Sequence, residues 1–164
     1  MMMGGPAIDS DLDAISFRPA TVDDGVALRT LLDEAGLPSG DVAPDRQTFV
    51  VAVTGGALQG CVGLEPLGAD ALLRSLAVRD GRRHAGLGGA LFERALHLAT
   101  ARRIETLFLL TTSAEAFFAR RGFRTIARAD APEAVRASRQ FSDLCPKTAV
   151  CMARRLSATP EARA

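Results

Sequence analysis

Residues 15–19 alternate apolar and polar, as a half-buried strand does, and Pro19 with Asp23-Asp24 marks the end of that segment. Leu28, Leu31, Leu32 and Ala35 then recur at helical spacing until Gly36 stops the helix. The polar, proline-containing stretch 38–47 predicts a loop or short helix, of the kind that borders substrate sites. Residues 49–53 and 57–64 read as two strands meeting at Gly55-Gly56, a hairpin signal. A third, mostly apolar strand at 71–78 runs into Arg79-Asp80-Gly81. Beyond a glycine-rich stretch, Gly88, Leu91, Phe92, Ala95, Leu96 and Ala99 share one face of a helix.

The second half of the chain is patterned differently. Residues 106–110 form a continuous apolar run, as in a central strand buried on both faces. Residues 114–121 predict a short helix ended by Gly122, and 123–127 another strand. Asp130-Ala131-Pro132 predicts a helix start with an acidic cap and an early proline. Residues 148–152 make the last strand. Hairpin-linked strands followed by a β-α-β unit predict an α/β fold. Its sheet should be mixed, mostly antiparallel and six- or seven-stranded, with helices on both faces. One domain over 15–157 is expected, with tails at 1–14 and 158–164.

Composition narrows the classes. With 164 residues, 48% of them hydrophobic, the chain suits one domain with a real core. A charged fraction of 24% and a net charge of +1 give no electrostatic reason to expect nucleic acid or membrane partners. Residues 1–14 lack a basic start and a long apolar run, so they read as a tail rather than a signal peptide. No window reaches the roughly 20 apolar residues of a membrane helix, and a soluble cytoplasmic protein is expected. Cys61, Cys145 and Cys151 are widely spread, which argues against a disulfide framework, and their spacing is not a usual zinc arrangement, so no metal is expected. The chain has no Trp and no Tyr.

The chemistry concentrates at Leu72-Leu73-Arg74-Ser75-Leu76-Ala77-Val78-Arg79-Asp80, Arg82-Arg83-His84-Ala85-Gly86-Leu87-Gly88-Gly89 and the amphipathic helix after them. A strand that turns through glycines into a helix aims backbone N–H groups and the positive helix end at one place, a cradle for pyrophosphate. Glycine permits close backbone approach, and Arg82 and Arg83 add charge. Dinucleotide and nucleotide folds use similar turns, but this one lacks both the G-x-G-x-x-G spacing and a Lys-Ser/Thr pair. It also follows a late strand of a hairpin-rich sheet rather than the first strand of a parallel one.

Arg83-His84-Ala85-Gly86-Leu87-Gly88 resembles the R/Q-x-x-G-x-G/A motif of the GCN5-related N-acetyltransferases (GNAT). The likeness covers nearly the whole chain. Phe17-Arg18-Pro19-Ala20-Thr21 resembles the first strand, Leu76-Ala77-Val78 the bulged fourth strand, and Phe118-Ala119-Arg120-Arg121-Gly122-Phe123 the Y-x-x-x-G-F segment. The resemblance implies a sheet splayed between strands 4 and 5 and acetyl-CoA as cosubstrate. The implied cofactor contacts are Leu76, Ala77, Val78, Arg83, His84, Ala85, Gly86, Leu87, Gly88, Gly89 and Thr111. It also implies that the N–H of Val78 or a neighbour stabilises the oxyanion formed when an amine attacks the thioester. Homodimerisation is a further implication of the family.

At the position of the family's thiolate-protonating tyrosine stands Phe118. Either Thr111, Thr112 or Ser113 substitutes, or the thiolate leaves unprotonated, or the protein binds acetyl-CoA without turnover. Glu65 is the candidate general base, or else a surface strand residue. Arg74 and Ser75 are candidates for an acceptor's anionic group; alternatively Arg74 forms an internal salt bridge, with Glu65 a suitable partner. Cys145 is a candidate on the acceptor side, Cys151 reads as core, and His97 as solvated.

Further stretches narrow the likeness. Leu72 to Val78, Leu109-Leu110-Thr111-Thr112-Ser113-Ala114, Phe117-Phe118 and Leu144-Cys145-Pro146-Lys147-Thr148-Ala149-Val150 resemble acetyltransferases of arsenic-resistance operons. The C-terminal half is also similar to the acetyltransferase domain of N-acetylglutamate synthases. Both likenesses imply the α-amino group of an amino acid as acceptor, including glutamate-like arsenic or phosphinate analogues. The competing expectations are a catalytically silent acetyl-CoA-binding regulatory module and a protein or peptide N-acetyltransferase.

Overall fold

The computed structural model describes residues 15–79 and 86–156. Its strands are β1 (Ser16–Pro19), β2 (Thr48–Thr54), β3 (Ala57–Leu67), β4 (Asp70–Val78), β5 (Thr106–Thr111), β6 (Arg124–Ile126) and β7 (Val150–Arg155). Its helices are α1 (Gly25–Glu34), α2 (Leu87–Ala101), α3 (Glu115–Ala119) and α4 (Glu133–Arg136). The seven strands form one mixed sheet in the order β1-β2-β3-β4-β5-β7-β6. β1 runs antiparallel to β2, and β7 antiparallel to both β5 and β6. The β2–β3 turn puts Gly55 and Gly56 at φ 57° and 82°, the doubly left-handed geometry that a two-residue hairpin requires.

β4 and β5 are parallel, and their ladder extends from Asp70–Thr106 to Leu72–Phe108. β4 continues to Val78 beyond that ladder. Within β4, Ser75 takes φ 60°, a left-handed conformation that interrupts regular pleating. The bulge is expected near residues 76–78; the backbone irregularity present in β4 is the left-handed Ser75 just before them.

The residues form two compact units, with β3 and β4 passing from one into the other. Residues 15–62 and 75–94 belong to the first, 63–74 and 95–156 to the second. In the first unit, Leu28, Leu31 and Leu32 of α1 pack with Val42, Phe49, Val51, Cys61 and Ala77. Gly60 makes the docking of α2 possible. A Cβ there would lie 2.8 Å from Leu91 Cδ1 and 3.0 Å from the Ala77 carbonyl oxygen. In the second unit, Leu72, Phe108, Ala131, Val135, Phe141, Cys151 and Ala153 form the core. The apolar run of β5 buries Leu107, Phe108 and Leu109 in succession, as a central strand must.

Two sequence expectations are corrected. Asp130 does not cap α4: it closes the 3-10 turn Arg128–Asp130, and Pro132 occupies the N-cap without a side-chain cap bond. The last strand is displaced from 148–152 to Val150–Arg155. A turn closed by the Ala149 N–H on the Pro146 carbonyl (3.0 Å) takes up residues 147 and 148, and β7 runs on to pair Arg155 with Thr106. No helix among the described residues is long and apolar enough to cross a membrane.

Candidate active site

In the first unit the candidate cofactor residues lie on the end of β4 and the start of α2. Leu76 and Val78 are half-buried while Ala77 between them is buried, so the strand alternates beyond Ser75. Gly86 is exposed with φ 78°, and among the described residues nothing lies within 4 Å of where a Cβ would stand. Leu87 anchors the first turn of α2 in the core, and Gly88 and Gly89 are half-buried. The first turn of this 15-residue helix holds no acidic side chain. Its leading N–H groups have no intrahelical acceptor, and the dipole adds positive charge. A helix start of this kind can hold an anion, which makes Gly86 to Gly89 the candidate phosphate site. Arg82, Arg83, His84 and Ala85 lie outside the described residues.

The second unit pairs Arg74 with Glu65. The Arg74 guanidinium donates to Glu65 Oε1 at 3.3 Å; the arginine side chain is 0% exposed and the glutamate 22%. Of the two readings of Arg74, the internal salt bridge is the arrangement present. Glu65 is thereby committed to a neighbouring cation.

Past β5, Thr111 Oγ1 accepts the N–H of Ala114 at 2.9 Å and that of Ser113 at 3.4 Å, which ties the chain into α3. Thr112 and Ser113 are exposed. The Phe118 ring is buried, edge-on to Phe117 (centroids 5.0 Å apart) and to Phe123 (5.6 Å). It is a packing element held by aromatic contacts.

Cys145 lines a pocket of about 590 Å³ with Arg128, Phe141, Ser142, Pro146 and Lys147, and its thiol donates to Gln140 Oε1 at 3.3 Å. Arg128 fastens this region by donating to the carbonyls of Phe141, Pro146, Lys147 and Ala149 at 3.1–3.4 Å. Cys151 is core: burial pushes its thiol up to about 11, against a smaller opposing pull from the Arg128 cation. None of the three cysteines is in a disulfide, and His97 is exposed. Among the described residues no group of three or more His, Cys, Asp or Glu side chains is disposed to hold a metal ion.

Sequence reasoning missed two features. One is Arg128, whose partners are carbonyls up to 21 residues away and leave no mark in local pattern. The other is the bond from the Cys61 thiol to the Ser75 carbonyl at 3.2 Å. A glycine inside an apolar strand, Gly60, was the available sign of close backbone approach beside it.

A strand broken by a left-handed residue and a helix opened by glycines are features of the GNAT acetyltransferase class, and the chain carries a GNAT acetyltransferase domain. The family model for the acetyltransferase (GNAT) domain matches residues 45–125. Among curated proteins the chain is similar to an amino-acid acetyltransferase of Pseudomonas syringae pv. syringae, 41% identical over 78 residues. That match covers 46% of this chain and 18% of the relative. Among solved structures it is similar to N-acetylglutamate synthase from Neisseria gonorrhoeae, complexed with coenzyme A and N-acetyl-glutamate. The TM-score is 0.73 at 26% identity, over 87% of this chain and 35% of that one. It is also similar to Rv2747 from Mycobacterium tuberculosis, solved with CoA and a second ligand. There the TM-score is 0.70 at 25% identity, over 86% of this chain and 99% of that one. The chain thus spans about a fifth of the length of the curated relative it matches.

Proposed function

We propose that the protein is an acetyl-CoA-dependent N-acetyltransferase acting on the α-amino group of a small amino acid. The observation that carries this reading is the left-handed Ser75 within β4, followed by a helix that opens at an exposed, positive-φ Gly86. It is supported by relatives named as amino-acid acetyltransferase and N-acetylglutamate synthase. The amides of Gly86 to Gly89 would hold the pyrophosphate, joined by Arg83, His84 and Ala85. Leu76 to Val78 would offer backbone groups to the amide-bearing pantetheine arm, in the manner of strand addition. The N–H of Val78 then faces the thioester oxygen as negative charge develops there.

The amine lone pair attacks the thioester carbon, the C–S bond breaks, and sulfur takes the electron pair as thiolate. The amine nitrogen loses one proton and the thiolate gains one. Holding the two reactants in register supplies much of the rate, so few catalytic side chains are needed. The exposed hydroxyls of Thr112 and Ser113 are the proposed proton donors, directly or through water. Thr111 serves by bonding the backbone that carries Ser113. In the finer reading the acceptor is glutamate or a glutamate-like arsenic or phosphinate analogue, with the Cys145 segment bordering it.

A thiol-release assay with acetyl-CoA tests this across free amino acids, glutamate, phosphinothricin-like and organoarsenical analogues, and peptides. CoA release with a free amino acid or analogue is the expected result. Acetyl-CoA binding without release over any acceptor overturns the enzyme in favour of a silent regulatory module. Preference for peptides overturns the small-molecule acceptor.

A further inference from the structure

We infer that Cys61 is a positioning residue for acetyl transfer: its thiol fastens the Ser75 carbonyl and so fixes the end of β4. This rests on the acetyltransferase reading above. Three consecutive residues of β3 each hold a different point of that strand end. The Gln59 carbonyl accepts the Arg79 N–H at 2.8 Å. Gly60, lacking a side chain, leaves room for the Ala77 carbonyl oxygen 3.0 Å from where a Cβ would stand. The Cys61 thiol, 0% exposed, donates to the Ser75 carbonyl at 3.2 Å. Ser75 itself sits at φ 60°, which a non-glycine residue keeps only when its surroundings over-determine it. A left-handed residue takes backbone groups out of the regular ladder, and a side-chain donor at residue 61 meets one of them.

Leu76, Ala77 and Val78 come directly after the fastened carbonyl, so any rotation of the Ser75 peptide is transmitted to the N–H groups that the proposed reaction uses. Cys61 also packs in the core with Leu28, Phe49 and Val51. The two roles make opposite predictions for serine. If Cys61 only filled space, a buried hydroxyl would be worse than alanine. If it acts as a donor, serine restores what alanine loses.

The test uses the full chain with Cys61→Ala, Cys61→Ser and, as a buried-thiol control in the other unit, Cys151→Ala. Two measurements are made: steady-state CoA release with the best acceptor, and amide hydrogen exchange at residues 76–78. The expected result for Cys61→Ala is a kcat about tenfold lower, the effect of one hydrogen bond, with KM for acetyl-CoA within about threefold. Exchange at 76–78 should be about tenfold faster. Cys61→Ser should return both to within about twofold, and Cys151→Ala should leave both unchanged. Should Cys61→Ala not fold, Cys61→Val, which keeps bulk and removes the donor, is read in its place. Wild-type kcat and exchange in the alanine variant, or serine losing as much as alanine, overturns the inference. If the wild type releases no CoA with any acceptor, the acetyltransferase reading fails separately, and the exchange comparison alone decides whether Cys61 fixes the end of β4.

Discussion

Arg74, its side chain wholly shielded from solvent on β4, donates to the carboxylate of Glu65 on β3 across 3.3 Å. The pair fixes two strands to each other with a charge that must stay neutralised. Glu65→Ala is expected to destabilise the protein by about 2–3 kcal/mol in denaturant unfolding, because it removes the counter-charge of a buried cation. Arg74→Met in the same chain should recover most of that loss. Turnover separates pairing from proton abstraction. Glu65→Gln should keep kcat within about threefold, whereas loss of a general base costs about a hundredfold or more.

The start of the first unit carries a pH-dependent contact. Asp24 accepts two bonds from the Arg18 guanidinium (2.8 and 3.0 Å) and one from the Thr21 N–H (2.8 Å). Chiefly through the Arg18 bond, these contacts hold its carboxyl down at about 2, below the ordinary value near 3.9. A depressed carboxyl stabilises the fold above its unfolded pKa and ceases to do so as pH falls through the folded one. Arg18 is 43% exposed, so solvent screening limits the contribution to about 1 kcal/mol. Wild type should exceed Asp24→Asn by that amount from pH 7 down to about 4, and the gap should close towards pH 2, read by unfolding at a series of pH values.

The elements were legible wherever period and punctuation agreed. Leu28, Leu31 and Leu32 carried α1, and Gly55-Gly56 carried the β2–β3 hairpin, because helix spacing and turn glycines are local signals. Boundaries failed where a non-local partner set them. β7 is displaced because β5 is its template, and Asp130 lost the cap because a 3-10 turn claimed it first. In the candidate site, the glycine opening of α2 was visible because Gly86, Gly88 and Gly89 stand at its start in the sequence. The pairing of Arg74 was visible only as one of two alternatives, since a strand position does not say what an arginine meets. The Cys61–Ser75 bond was invisible because it depends on a single reversed φ.

Thr111 ends β5 and organises the turn into α3, its hydroxyl oxygen accepting from Ala114 and Ser113. Thr111→Val keeps the β-branched shape and removes the acceptor, so it should cost about 1 kcal/mol, as loss of a capping side chain does. Thr111→Ser should cost about half as much or less. If the exposed hydroxyls of Thr112 and Ser113 protonate the leaving thiolate, Thr111→Val should also lower kcat by misplacing Ser113. The double variant Thr112→Ala, Ser113→Ala should lower it further, by roughly tenfold. Unchanged turnover in both would leave the thiolate departing unprotonated.

Phe118 offers the sharper test of that last step. Its ring is 7% exposed and locked edge-on between Phe117 and Phe123, so Phe118→Ala should cost about 3–4 kcal/mol through the cavity it opens. Phe118→Tyr retains the ring and adds a hydroxyl at the position where the family resemblance places an acid. A thiol with a pKa of about 8.5 is already a fair leaving group, so protonation has limited barrier left to remove. The tyrosine variant should therefore raise kcat by less than about tenfold and leave KM for acetyl-CoA unchanged. A rise of about a hundredfold would show instead that thiolate protonation limits the wild-type enzyme. A fall in kcat with a lowered unfolding midpoint would mean that the hydroxyl is buried without a partner, and that the aromatic cluster leaves no room for an acid at this position.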